Sequence, residues 1–213
     1  MLISITGLIG SGKDTIAEYL VAKHGFKQDS FAGNLKDAIS TIFNWDRELL
    51  EGKTEVGREW RDQIDTWWAA RLGIPHLTPR WVLQYWGTEV CRHGFHDDIW
   101  IASLENKLKQ STQNIVISDC RFPNEIKMVQ QLTGVTIQVS RGERPEWYDI
   151  AAIVNKGPDS DFRWDNYKTM MDTYNIHLSE WAWVGTKFDI IITNNGPKEE
   201  LYSCIERVLE IGH

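Results

Sequence analysis

The feature that most constrains this chain is a glycine-rich segment directly after its first apolar run. Leu2 to Ile5 is apolar, and the segment Gly7–Thr15 that follows reads Gly-Leu-Ile-Gly-Ser-Gly-Lys-Asp-Thr. The glycines allow a tight turn after a strand, so that backbone N–H groups at the start of the next helix can face phosphate oxygens. The spacing matches G-x-x-x-x-G-K-[ST] except at its last position, which is Asp14. The segment therefore predicts a phosphate-binding P-loop.

The last residues of this loop have separate expected roles. Lys13 is expected to reach the β- and γ-phosphates of a bound nucleotide. A hydroxyl returns only at Thr15, so a magnesium ion is expected to be held through Thr15, through Asp14 or through water. The alternative is a glycine-rich turn with a solvated lysine, and the flanking strand-like and helix-like segments argue against it.

Composition excludes several classes of protein. The net charge of −7 argues against stable nucleic-acid binding, and an acidic protein that binds anions must concentrate its arginines and lysines locally. No apolar stretch reaches about 18 residues, and the first one has no basic flank, so neither a membrane span nor a secretion signal is predicted. The three cysteines lack Cys-x-x-Cys spacing, so we expect no disulfide or zinc, which favours the cytoplasm.

Apolar periodicity predicts strands that alternate with helices, typical of a parallel sheet covered on both faces. We expect one P-loop domain over residues 1–213 with a parallel five-stranded sheet flanked by helices. The predicted strands are Leu2–Thr6, Phe26–Phe31, Asn114–Ser118, Val135–Val139 and Asp189–Thr193. The predicted helices are Lys13–Lys23, Asn34–Phe43, Arg80–Cys91, Trp100–Lys109, Asn124–Leu132 and Lys198–Glu210, with a short one at His177–Trp183.

Two stretches depart from this alternation. Residues from about 45 to 78 are charged and rich in tryptophan, with helical spacing, and are interpreted as a helical insertion. Residues from about 141 to 176 are polar and contain two glycines and two prolines, so they are interpreted as an irregular, mobile lid.

A second chemical signal ends the third predicted strand. The apolar run Ile115–Ser118 leads into Asp119, in the manner of a Walker B element. Ligands of open parallel sheets bind beyond these strand ends, so Asp119 is expected to hold magnesium directly or through water. Arg121 is expected to face a phosphate, and a surface ion pair is its alternative role.

The loop ending Gly-Lys-x-Thr favours a nucleoside monophosphate kinase over a GTPase. Asn155-Lys156-Gly157-Pro158 lacks the aspartate of the guanine-binding motif. Kinases of this kind bring two anionic nucleotides together, so they need arginines and a lid that excludes water.

In this context the chain resembles the deoxynucleoside monophosphate kinases of tailed bacteriophages. The matching segments lie in order along the chain and cover well under half of it. They are Ser11–Thr15 with its unusual aspartate, Phe31–Ala38, Arg80–Glu89, Trp100, Asp119–Glu125, Arg141, His177–Glu180 and Ile191–Leu201.

The resemblance implies an enzyme that transfers a phosphate group from ATP to a deoxynucleoside monophosphate, with Mg²⁺, in the host cytoplasm. It implies catalytic roles for Lys13, Asp119 and Arg121. The residues that it implies for ATP are Gly10, Gly12, Lys13, Asp14, Thr15, Thr193, Asn194 and Gly196, with Asp14, Thr15 and Asp119 at the metal. Residues 45–78 would then be the acceptor-binding insertion.

For the acceptor nucleotide the resemblance implies Ile9, Lys36, Arg80, Gln84, Thr88, Trp100 and Arg141. The spacing agrees in part, because Arg80, Gln84 and Thr88 recur every four residues and should share one helix face. An arginine suits a phosphate and a glutamine suits a base edge. Trp100 could stack on a base, or it could belong to the core.

Several questions stay open at this level. A different small-molecule kinase, similar to dephospho-coenzyme A kinase, would share the sheet and the lysine. A non-catalytic nucleotide-binding protein would bind ATP without turnover. The sequence does not assign the base, the sugar, the role of His177 and Glu180, or the oligomeric state, for which a homodimer is possible.

Overall fold

The structure is a computed structural model that describes residues 1–211, and it falls into two compact units. The first contains residues 1–30 and the described residues from 111 onward, and the second contains residues 31–110. In chain order the helices are α1 (Lys13–His24), α2 (Gly33–Phe43), α3 (Arg47–Glu51), α4 (Glu55–Asp62), α5 (Thr66–Leu72), α6 (Pro79–Tyr85), α7 (Ile99–Lys109), α8 (Pro123–Gln131), α9 (Tyr148–Asn155), α10 (Trp164–Tyr174) and α11 (Lys198–Ile211).

The first unit is built on a parallel sheet, which confirms the expected fold class. Within the described residues the sheet has five strands in the order β2-β3-β1-β4-β5, and every neighbouring pair is parallel. Ile3 at the centre pairs with Val116 on one side and Val135 on the other. The strands are β1 (Leu2–Thr6), β2 (Lys27–Asp29), β3 (Ile115–Ile117), β4 (Val135–Ser140) and β5 (Ile190–Thr193).

The core of this unit lies where the sheet meets its covering helices. Ile5 of β1 and Ile137 of β4 are completely buried, together with Leu20 of α1 and Ile205 of α11. Because all five strands are parallel, their carboxyl ends reach the same edge of the sheet. The loops that follow β1, β3, β4 and β5 therefore leave from one edge, where the sequence places the glycine-rich loop, Asp119, Arg141 and Asn194.

The expectation that residues 141–176 are irregular is wrong, because this stretch is mostly helical. It forms α9 and α10, joined by a short 3₁₀ turn at Pro158–Ser160. Tyr148, Ala151 and Val154 of α9 are buried at a helical spacing of three residues. The glycines and prolines that suggested irregularity lie in the connections, and the apolar spacing between them determines the helices.

The second unit is helical and has its own aromatic core. Phe43 stacks on Trp45 with ring centroids 4.5 Å apart, and the indole N–H of Trp68 donates to the Phe43 carbonyl at 3.1 Å. Leu50 and Leu77 are almost completely buried beside them. Residues 45–78 form α3, α4 and α5, and the compact unit extends beyond them on both sides.

The predicted helix Arg80–Cys91 changes type along its length. α6 ends at Tyr85, and a π-helical segment continues from Trp86 to His93. The backbone N–H of His96 still bonds to the Cys91 carbonyl, five residues back, at 3.0 Å. A turn with i to i+5 bonds is wider than an α-helical turn. The four-residue spacing keeps Arg80 and Gln84 on one face of α6, and Thr88 follows in the π-helical segment.

Among the helices formed by residues 1–211, none combines the length and apolar character that crossing a membrane requires.

Candidate active site

The glycine-rich loop has the backbone geometry of a phosphate cradle. Gly10 and Gly12 have φ values of 78° and 106°, a region that side chains rarely adopt. The Ser11 N–H donates to the Leu8 carbonyl at 3.1 Å, and the first helical bond runs from the Ile16 N–H to the Gly12 carbonyl at 3.1 Å. The amides of α1 ahead of Ile16 lack intrahelical partners, so they are donors for an anion at the helix N-terminus.

Two glycines of the loop are required by close packing. A Cβ at Gly7 would lie 2.4 Å from the Val139 carbonyl oxygen, and one at Gly12 would lie 2.4 Å from Nδ2 of Asn194. Such contacts are far inside van der Waals distance. The loop therefore depends on glycine for its fit against the ends of β4 and β5 as well as for its turn.

Asn194 fastens the loop from the end of β5. Its side chain is buried, and Nδ2 donates to the Ser11 carbonyl at 2.8 Å. Its backbone N–H donates to the Ser140 carbonyl at 2.8 Å. The side chain is thus engaged within the protein, while Thr193 and Gly196 lie exposed on either side of it. This role for Asn194 was not foreseen from the sequence.

Lys13 lies at the first position of α1 and is partly buried. Its Nζ lies 3.4 Å from the Leu8 carbonyl oxygen. Burial lowers the pKa of Lys13, because it removes water from the ammonium group. Asp14 acts in the opposite direction, Arg121 lowers this pKa further, and Glu180 raises it. A second cation and a carboxylate therefore lie near enough to Lys13 to influence its charge.

Two glutamates hold Arg121, one through its side chain and the other through its backbone N–H. Its Nη1 donates to a carboxylate oxygen of Glu180 and lies 3.4 Å from the Ser179 hydroxyl. Its backbone N–H, like that of Phe122, donates to Oε2 of Glu125, at 2.7 and 3.1 Å respectively. Glu125 is 3% exposed, so a buried carboxylate shapes the loop after β3. The sequence left the role of Glu180 open, and the structure shows that Glu180 pairs with Arg121.

The remaining candidates of the first unit lie around this edge of the sheet. Asp119 follows β3 and is partly buried, and Asp14 is exposed on the first turn of α1. Arg141 is exposed directly after β4, and Ile9 is 81% exposed at the tip of the glycine-rich loop. An apolar side chain this exposed makes little contribution to the core.

In the second unit, both predicted acceptor cations are already ion-paired. Two guanidinium nitrogens of Arg80 donate hydrogen bonds to the Asp62 carboxylate, and Nη2 lies 3.0 Å from Oδ2. The hydrogen bond to Asp62 raises the pKa of Arg80. Lys36 lies 2.9 Å from Oε1 of Glu51, and the other oxygen of Glu51 binds Arg47 at 2.5 Å. These pairs limit what Arg80 and Lys36 can offer to a ligand.

The other acceptor candidates differ in exposure. Gln84 and Thr88 are exposed, and Trp100 is partly buried. The indole N–H of Trp100 donates to the Gly87 carbonyl at 3.0 Å, and its ring packs against the aromatic core. The tryptophan is therefore fixed in orientation by the second unit itself.

Arg61 is a cation of this unit that the sequence-based reasoning did not select. Its Nε is buried and has no hydrogen-bond partner among residues 1–211. The guanidinium covers Gly52, where a Cβ would lie 2.1 Å from its Cζ. Burial lowers the pKa of Arg61, and Arg80 lowers it further. An unpartnered buried donor on a cation is costly, and because Nε is closed to solvent, an anion would have to approach Arg61 through its terminal nitrogens.

A sequence signal for Arg61 does exist. Arg58 and Arg61 lie three residues apart on α4, so they project from the same face of that helix.

A separate surface cavity of about 260 Å³ lies in the second unit, and its lining includes none of the predicted acceptor residues. It is lined by Trp60, Gln63, Ile64, Asp65, Thr66, Trp67 and Pro79.

Comparison with known proteins gives two relatives that span the chain. A protein of Acanthamoeba polyphaga mimivirus, named as a deoxynucleotide monophosphate kinase, is 31% identical over 219 aligned residues and covers 96% of this chain and 94% of its own length. The deoxynucleotide monophosphate kinase of Enterobacteria phage T4 is 22% identical over 247 aligned residues and covers 99% of both chains. No family model matches.

Among solved structures, shikimate kinase from Aquifex aeolicus covers 99% of this chain and 96% of its own, with a TM-score of 0.46 and 12% sequence identity.

Proposed function

The chain belongs to the family of deoxynucleotide monophosphate kinases, and on that premise we propose that it transfers the γ-phosphoryl group of ATP to a deoxynucleoside 5′-monophosphate. The observation that carries this proposal is the folded glycine-rich loop, with Lys13 beside Arg121 and Glu180. In the reaction, an oxygen of the acceptor phosphate forms a bond to the γ-phosphorus. The bond from that phosphorus to the β,γ-bridging oxygen breaks, and dNDP and ADP are released.

On the donor side, the amides of Gly10 and of Gly12 to Thr15 bind the phosphates, and Lys13 and Arg121 neutralise their charge. Such sites work by positioning and electrostatics, without a covalent enzyme nucleophile. Thr193, Asn194 and Gly196 lie against the adenine, with Asn194 also holding the loop in shape through Ser11.

The donor set suits a magnesium ion that is bound together with a nucleotide. Within residues 1–211 there is no group of three or more His, Cys, Asp or Glu side chains that could hold a metal on its own. Mg²⁺ at nucleotide sites keeps several waters and takes one or two carboxylates plus phosphate oxygens. Asp14, Thr15 and Asp119 supply such hard oxygen ligands. When bound, the ion would neutralise charge on the β- and γ-phosphates.

On the acceptor side, we assign the 5′-phosphate to Arg61, with Arg80 as a neighbouring cation. Arg61 has a buried donor without a partner, whereas Arg80 is neutralised by Asp62. Gln84 contacts the base edge and Trp100 stacks on the base. Lys36 and Thr88 complete the acceptor-binding set of the second unit, and the resemblance adds Ile9 and Arg141 of the first unit.

A substrate screen tests this function. The protein is incubated with Mg²⁺–ATP and each common ribonucleoside and deoxyribonucleoside monophosphate, and ADP release is measured with a coupled assay. We expect ADP and dNDP with at least one deoxynucleotide, and no signal from a Lys13→Ala preparation, which controls for contaminating kinases. ADP release only with another acceptor, such as dephospho-coenzyme A, would contradict the proposal, as would ATP binding without turnover.

A further inference from the structure

The short turn that follows α10 ends beside Arg121. It is a 3₁₀ turn over Leu178–Glu180, capped by His177, whose Nδ1 accepts from the Ser179 backbone N–H at 3.3 Å. The Ser179 hydroxyl lies 2.8 Å from the same Nδ1. Since Nδ1 acts as an acceptor, a neutral ring carries its proton on Nε2. The Ser179 hydroxyl then donates to His177, and its oxygen is left to accept from Arg121.

This turn engages one edge of the Arg121 guanidinium. Glu180 and Ser179 both face Nη1, and within residues 1–211 the side-chain hydrogen bonds of Arg121 all use that nitrogen. A guanidinium carries five N–H donors, so the donors on Nη2 and Nε are left for a ligand. The backbone N–H of Arg121 is fixed separately by Glu125 at 2.7 Å. Arg121 is therefore held in place, while its N–H donors on Nη2 and Nε are left for another acceptor.

The charges explain why a carboxylate is needed at this point. The charge of Arg121 lies close enough to Lys13 to lower the pKa of that ammonium group. Glu180 forms an ion pair with Arg121 and also acts favourably on Lys13. A free arginine side chain has many rotamers, and ordering it costs conformational entropy. A partner that orders it in advance removes that cost from the reaction.

We propose that Glu180 is a positioning residue, which with Ser179 holds Nη1 of Arg121 so that the rest of the guanidinium is aimed at the phosphoryl group in transfer. Glu180 itself touches no substrate. The proposal rests on the proposed function for its kinetic test, and its second test is independent of turnover.

The kinetic test is a double-mutant cycle on Arg121 and Glu180. Glu180→Gln should lower kcat about tenfold to a hundredfold, as small misplacements of catalytic groups do. The Kd for ATP should stay equal or fall, because a negative charge beside the phosphates has been removed. Arg121→Ala should lower kcat further, and the double variant should match Arg121→Ala, since no guanidinium is left to position. Glu210→Ala, an exposed glutamate on α11, is the matched control and should behave as wild type.

Other outcomes of the cycle overturn the proposal. If the two effects multiply in the double variant, Glu180 acts independently of Arg121. If Glu180→Gln weakens ATP binding and kcat together and lowers the melting temperature, its role is only structural. An unchanged kcat would exclude any role in turnover.

The second test measures the order of Arg121 directly, in the protein without nucleotide. The Nε–H resonance of Arg121 is identified by NMR as the arginine signal that Arg121→Lys removes. In the wild type its heteronuclear NOE should be that of an ordered side chain, and in Glu180→Gln it should fall to the value of an exposed arginine such as Arg71. An equal NOE in both proteins would overturn the proposal. If no monophosphate acts as an acceptor, the proposed function fails, but this measurement still decides the role of Glu180.

Discussion

The two units of this molecule present their cations in opposite ways. In the first unit, Lys13 belongs to a continuous loop whose glycines and amides form the rest of the cradle. In the second unit, Arg61, Arg80 and Lys36 come from three different helices, and acidic neighbours already engage Arg80 and Lys36. A short sequence motif can therefore identify the phosphate-binding residues of the first unit. The cations of the second unit can be ranked as phosphate ligands only once their ion pairs are known.

The largest expected effect concerns the continuous motif. Lys13→Ala should lower kcat about a hundredfold to a thousandfold, the usual result of removing one preorganised electrostatic contact of about 3–4 kcal/mol. The fold should persist, because Lys13 is only partly buried. Steady-state kinetics and a melting curve check both points, with Lys23→Ala at the exposed end of the same helix as the matched control. A folded Lys13→Ala protein with wild-type kinetics would exclude the P-loop assignment.

The second-largest expected effect distinguishes Arg61 from Arg80 as the ligand of the acceptor phosphate. Arg61→Ala should weaken binding of every deoxynucleoside monophosphate about tenfold to a hundredfold, because it removes a charge-assisted contact to a phosphate that all of them share. Arg80→Ala should have a smaller effect, since Asp62 has already neutralised that arginine. Calorimetry with each monophosphate and with its nucleoside measures the phosphate contribution.

Arg71→Ala is the control for this ranking, because Arg71 is an exposed arginine of the same unit. If Arg80→Ala is the more damaging change, the ion pair with Asp62 opens on binding and Arg61 is not the phosphate ligand. If Arg61→Ala weakens the nucleoside as much as the monophosphate, Arg61 does not act on the phosphate.

A moderate effect is expected at the metal. Asp119→Asn should raise the Mg²⁺ concentration that gives half-maximal rate several-fold, because an amide oxygen is a weaker ligand for a hard cation than a carboxylate. A magnesium titration at saturating ATP measures this, and the rate at high Mg²⁺ should recover in part. A titration curve equal to that of the wild type would remove Asp119 from the metal site.

The smallest effect is a change of selectivity. Gln84 lies one helical turn from Arg80 on α6 and is exposed, so we expect it to contact the base. Gln84→Ala should change kcat/KM by a few-fold and reorder the four common deoxynucleotides, because only the base edge differs between them. Equal scaling of all four values would place Gln84 outside the base contact.

Sequence reasoning succeeded where neighbours in the chain are also neighbours in the fold. The five strands and their parallel arrangement followed from apolar runs, and the loop between β1 and α1 followed from its glycines. It did worse at α9 and α10, where flanking glycines and prolines masked a helical apolar spacing. It also treated the helix after Pro79 as uniform and missed the π-helical segment that follows Tyr85. In that segment Gly87 packs closely against Leu35, whose Cδ2 would lie 2.8 Å from a Cβ at this position.

What the sequence determined by itself was the parallel sheet and the phosphate loop at its edge, since both are local patterns of apolar residues and glycines. Only the tertiary structure decided which charged side chains are engaged and which are not. Glu180 lies 59 positions from Arg121, and Asp62 lies 18 positions from Arg80. Pairing between such distant residues depends on the path of the backbone, and it leaves Arg61 with a buried donor that has no partner within residues 1–211.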